Sequence, residues 1–106
     1  MSTAMISVPE TAARDEIVEV KILISHPMET GFRTGADGRR IPRDIVHSLR
    51  CIYNGEEVFR TEIFPAIAAN PYFAFHLRAK ESGDIPLIWA DEQGQEFAET
   101  KAITVS

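Results

Sequence analysis

Tyr53-Asn54-Gly55-Glu56 carries the strongest turn signal in the chain. Asn-Gly accepts the positive φ angles that a type I′ turn demands, and such a turn joins two antiparallel strands. Arg43 to Tyr53 therefore predicts one strand and Glu57 to Ile63 its return. On the first, period two puts Ile45, His47, Leu49, Cys51 and Tyr53 on one face, with Ser48 and Arg50 on the other.

Working outward, Glu16 to Ser25 alternates Val18, Val20, Ile22 and Ile24 with Glu19, Lys21 and Leu23, the pattern of a half-buried strand. His26-Pro27 ends it, because proline has no N–H for a ladder. Met28 to Pro42 contains Gly31, Gly35 and Gly38 and reads as a long loop or wide hairpin. Phe64 to Pro71 is apolar but bounded by prolines, and predicts a short helical turn or a packed crossover. Tyr72 to Lys80 alternates Phe73, Phe75, Leu77 and Ala79 against Ala74, His76 and Arg78; Ile85 to Ala90 and Phe97 to Val105 complete the set. Turns at Glu81-Ser82-Gly83-Asp84 and Asp91-Glu92-Gln93-Gly94 separate these strands. Short strands joined by turns, without a helical period, predict an all-β, immunoglobulin-like antiparallel β-sandwich of about six to seven strands. Residues 16–106 form its single domain, and residues 1–15 are expected to be disordered or frayed.

With 106 residues, 44% hydrophobic and 25% charged, the composition is that of an ordinary globular chain. A net charge of -5 argues against general attraction to nucleic acid or anionic lipid, and no apolar run approaches the about 20 residues of a membrane span. The charge is uneven: residues 32–43 set Arg33, Arg39, Arg40 and Arg43 against Asp37 alone. This basic connection is either a solvated loop or a docking patch.

One cysteine, Cys51, excludes an intrachain disulfide and multi-thiolate metal sites, and its apolar strand face predicts a buried, inert thiol. Elbow, phosphate-loop and dinucleotide motifs are absent, so the chain is not expected to be an enzyme and no cofactor is assigned. Glu56-Glu57 and Asp91-Glu92 are expected to be solvated at turns. A metal site would have to gather His26, Met28 and His47 from different strands. Apolar residues in connections, namely Met28, Phe32, Phe64, Pro65, Ile67 and Pro71, either fold inward or meet a partner.

Lys21 to Arg33, with His26-Pro27-Met28-Glu29-Thr30-Gly31 at its centre, resembles the SoxZ family, as do Gly38 to Ile45, Tyr53-Asn54-Gly55, Pro65-Ala66 and Asn70-Pro71-Tyr72. The likeness spans residues 17–105 and departs at Arg43-Asp44. It implies the smaller, non-catalytic subunit of the SoxYZ carrier of bacterial thiosulfate oxidation. Its partner SoxY would bear sulfur intermediates on a C-terminal cysteine arm and present them to Sox pathway enzymes, which dock transiently. The resemblance also implies a periplasmic heterodimer, exported bound to SoxY, since Met1 to Arg14 shows no secretory signal. Self-association is expected when the chain is isolated. SoxYZ-like systems beside quinoprotein dehydrogenases fit the same pattern. The expected partner-docking residues are His26, Met28, Phe32, Arg33, Arg39, Arg40, Phe64, Pro65, Asn70 and Pro71. The alternative is a free-standing periplasmic metal- or ligand-binding accessory domain.

Overall fold

A computed structural model describes residues 3–64 and 69–106. Among them lie the strands β1 (Thr3–Ser7), β2 (Thr11–Ala12), β3 (Ile17–Ser25), β4 (Val46–Tyr53), β5 (Glu56–Glu62), β6 (Tyr72–Arg78), β7 (Gly83–Asp91) and β8 (Glu96–Val105). They form two sheets, of order β1-β3-β6 and β2-β8-β7-β4-β5. The fold is all-β and sandwich-like, as the turn spacing predicts. No helix among the described residues is long and apolar enough to cross a membrane.

The alternation read in the sequence builds the core. Val18, Val20, Ile22 and Ile24 point inward from β3, and Phe75 and Leu77 from β6. Leu49, Cys51, Ile85, Leu87 and Trp89 meet them from the larger sheet and are fully buried. Phe59 of β5 stacks on Phe75 of β6 with centroids 4.1 Å apart, closing one side of the sandwich. The turn at Asn54-Gly55 has positive φ at both residues, 53° and 78°, as its type requires. Beside it the Tyr53 hydroxyl accepts from the N–H groups of Lys80 and Glu81 and so pins the β6–β7 connection to β4.

Two expectations need correction. From Thr3 onward the N-terminal stretch holds two strands: β1 pairs antiparallel with β3, and β2 runs parallel to β8. Ala4, Ile6 and Val8 pack against the core from this stretch, but their run is too short and too mixed to signal a strand without its neighbour. The second correction is His47. The β4–β7 register slips between Val46 and Ser48, so Ile45 and Val46 are both buried while His47 turns out to solvent. A bulge adds one residue to one strand and takes that residue out of the alternation. The helical turn or crossover expected over 64–71 falls largely on residues 65–68, outside the described residues.

Candidate docking site

Between β3 and β4 the chain runs out and back as an irregular ribbon. Glu29 and Asp44 exchange both backbone hydrogen bonds at 2.9 Å, and Thr34 bridges Arg40 farther out. At its tip Gly35 N–H donates to the Arg39 carbonyl, and Gly38 adopts φ +79°. The wide hairpin expected from the glycines is therefore present. Gly31 is required by close approach as well as by its φ of +90°, because a Cβ there would lie 3.1 Å from Cβ of Arg43.

The ribbon is fastened at its base by the residues that resemble SoxZ. His26 N–H donates to Asn70 Oδ1 at 3.0 Å, and Asn70 N–H returns a bond to the His26 carbonyl at 2.8 Å. Asn70 sits at φ +54°, a conformation that asparagine tolerates better than most residues. Met28, at φ +52°, donates its N–H to His26 Nδ1 at 3.0 Å, and its Sδ accepts from Val46 N–H at 3.4 Å. Glu29 is paired with Arg33, and that hydrogen bond holds the Glu29 carboxyl below the usual carboxylate range. Arg43 Nε donates to Glu92 at 2.6 Å, tying the returning limb to the turn after β7.

Asn70→Ala is accordingly expected to cost about 1–3 kcal/mol, from an unsatisfied His26 amide and a strained φ. Asn70→Gly should relieve the backbone part only. Urea unfolding of the two variants measures the difference.

The expected docking residues separate into two layers. His26, Met28 and Pro71 are buried, His26 at 7% exposure, and lie at the base of the ribbon. Phe32, Arg33, Arg39, Arg40, Phe64 and Asn70 are exposed, with Phe32 at 76% and Phe64 at 62%. Pro65 lies outside the described residues. Phe64 shares a surface hollow of mixed charge with Arg43, His47, Arg60 and Glu62, in which both arginines are paired with acids. Arg33 and Arg43 are already paired with acids, whereas Arg39 and Arg40 stand exposed near the tip.

Two residues of this region are not signalled by the sequence. Asp91, expected to be solvated, is buried, and its Oδ1 accepts from Gln93 and Gln95 N–H at 2.9 and 3.0 Å, so it caps the turn. Asp44, where the family resemblance lapses, faces His26, its Oδ1 lying 3.7 Å from Nε2. His26, Asp44 and Asp91 bring one ligand atom each within 4.8 Å of the others. That trio is poorly suited to a metal. With Nδ1 accepting from Met28, the neutral ring keeps its proton on Nε2, the nitrogen that would have to ligate. His47, exposed at the bulge, is not part of the trio.

The chain is thus a small all-β sandwich from which a pinned ribbon projects, with Phe32, Arg33, Arg39 and Arg40 exposed along it. The comparisons give its family. The family model for sulphur oxidation protein SoxZ matches residues 6–102, and the chain belongs to the SoxZ family. A superoxide reductase (neelaredoxin) from Ignicoccus hospitalis superposes with a TM-score of 0.74 at 20% identity, over 98% of this chain and 80% of that one. The sulfur carrier protein SoxY from Chlorobium limicola f thiosulfatophilum superposes at 0.69 and 14% identity, over 97% and 78%. A superoxide reductase from Archaeoglobus fulgidus gives 0.64 and 15%, over 95% and 86%. At these identities the likenesses establish a shared fold. No curated protein matches the chain.

Proposed function

We propose that this chain is the non-catalytic subunit of a sulfur-carrier pair. It binds a SoxY-type protein whose C-terminal cysteine arm bears the sulfur intermediates, and the exposed ribbon helps present that arm to the enzymes of sulfur oxidation. The observation that carries this reading is the state of Cys51. It is fully buried in β4, and burial pushes its thiol from 9.0 up to about 11. The thiolate is the nucleophile, so burial leaves this cysteine a poor one at neutral pH. A covalent carrier needs an accessible thiolate, and in a SoxZ-family pair that role falls to the other chain.

Exposed apolar groups support an incomplete monomer. Besides Phe32 and Phe64, the outer face of the smaller sheet aligns Met5, Leu23 and Tyr72 across its strands. The pair would work in the periplasm, this chain crossing bound to its partner and self-associating when the partner is missing.

Mixing the chain with a SoxY-type protein is expected to give a one-to-one complex by light scattering; persistent separate species would refute the reading. Mass spectrometry of the complex after turnover with thiosulfate is expected to place adducts on the partner alone. A stoichiometric adduct on Cys51 would sink the assignment.

A further inference from the structure

We propose that His26 is a proton-operated latch at the base of the ribbon: the neutral ring holds the Met28 amide and keeps the ribbon seated, and protonation hands the ring to Asp44 and frees it. The geometry sets two demands on one imidazole. Nδ1 accepts the Met28 N–H at 3.0 Å, and this bond helps hold Met28 in its left-handed conformation. On the other side, Asp44 Oδ1 is buried and has no hydrogen-bond partner among the described residues, lying 3.7 Å from Nε2. The neutral form thus satisfies Met28 and leaves Asp44 waiting. A proton on Nδ1 would set two donors against each other, N–H facing N–H, and the Met28 amide would have to turn away. The imidazolium, released from Met28, can close the gap to Asp44 and satisfy the orphaned oxygen by a charge-assisted bond.

The charges around the ring favour this exchange. Asp44 faces it from the segment before β4 and Asp91 from the end of β7. Asn70, on the segment leading into β6, is uncharged and bonds the His26 main chain. The next charges outward, Arg43 and Glu92, are engaged with each other. Asp91 Oδ1 is held by the Gln93 and Gln95 backbone N–H groups.

The direction follows from linkage. A proton on Nδ1 is incompatible with the bond that seats the ribbon, so acid favours release and the neutral ring favours the seated form. Because Glu29 and Asp44 exchange hydrogen bonds one step from Met28, release there would loosen the limbs that carry Arg33, Arg39 and Arg40.

Amide hydrogen exchange followed by NMR on the full chain tests the latch. After correction for intrinsic rates, protection at Met28, Glu29 and Asp44 is expected to fall at least about tenfold between pH 7.5 and 5, while the β3–β6 amides hold. Ring nitrogen shifts should show His26 protonated at Nε2 at the higher pH and doubly protonated at the lower. His26→Asn places an acceptor near the Nδ1 position without a titrating proton, and its ribbon amides should stay protected at both pH values. Unchanged protection in the native chain, or an equal loss in His26→Asn, overturns the proposal. Should His26→Asn not fold, Asp44→Asn decides: the midpoint of release must move to lower pH, and an unmoved midpoint overturns the latch.

Discussion

Trp89→Ala is expected to remove about 3–5 kcal/mol of stability, a large part of the about 5–15 kcal/mol that a domain of this size has in total. Trp89 is the largest fully buried side chain among the described residues, sits two residues before the end of β7, and stacks on Phe97 of β8 with centroids 6.0 Å apart. Both of its sheet neighbours are close-packed: Leu49 stands opposite on β4, and Phe97 opposite on β8. Truncation therefore leaves a cavity that backbone collapse cannot readily fill. Trp89→Phe should keep much of the packing and lose well under half as much. Since Trp89 is the one tryptophan, unfolding must be followed by circular dichroism in urea. A loss under about 1 kcal/mol for Trp89→Ala would mean that the two sheets close over the gap, contrary to rigid packing.

The largest functional effect is expected at the ribbon tip. Replacing Arg39 and Arg40 by Ser together should slow sulfur turnover by the reconstituted pair about tenfold at low ionic strength, with the gap closing as salt rises. The reason is kinetic. Both side chains are exposed and make no ion pair among the described residues, so their charge is available to steer an acidic enzyme or an anionic adduct. Their removal should leave urea unfolding and affinity for the SoxY-type partner nearly unchanged. Arg33 and Arg43 are poor substitutes for this test, because each is paired with an acid and its loss would disturb the ribbon itself. Equal turnover at every salt concentration would reduce the basic ribbon to a solvated surface feature.

Much of the sandwich was legible because its strands satisfy period two with unambiguous residues. Val18 to Ile24 and Ile85 to Trp89 need no tertiary knowledge to be placed on a face. β1 was not legible, since Thr3-Ala4-Met5-Ile6-Ser7 becomes a strand only when β3 lies beside it. The sequence does not show where His47 points, because a one-residue bulge leaves no mark in composition yet takes the residue it adds out of the alternation. At the site, the exposed arginines and Phe32 follow from the sequence. The layer beneath them does not: His26, Asp44 and Asp91 are brought together from three separated segments, and only their convergence shows that Asp91 is a cap and Asp44 an orphaned acceptor. The resemblance to SoxZ marked His26 and Asn70 without saying that they bond each other.

The free margins of the two sheets differ in chemistry. β5 carries Glu56, Glu57, Arg60 and Glu62 along its seven residues, whereas β1 has no charged residue and β6 only Arg78. Charges on a margin repel an incoming copy, and uncharged margins present their backbone as a template. Ribbon-like stacking of copies, the beginning of cross-β growth, is therefore barred at β5 and open on the smaller sheet. Preparations of this chain kept without a partner should be guarded at that side, where one added lysine on β1 would act as a gatekeeper.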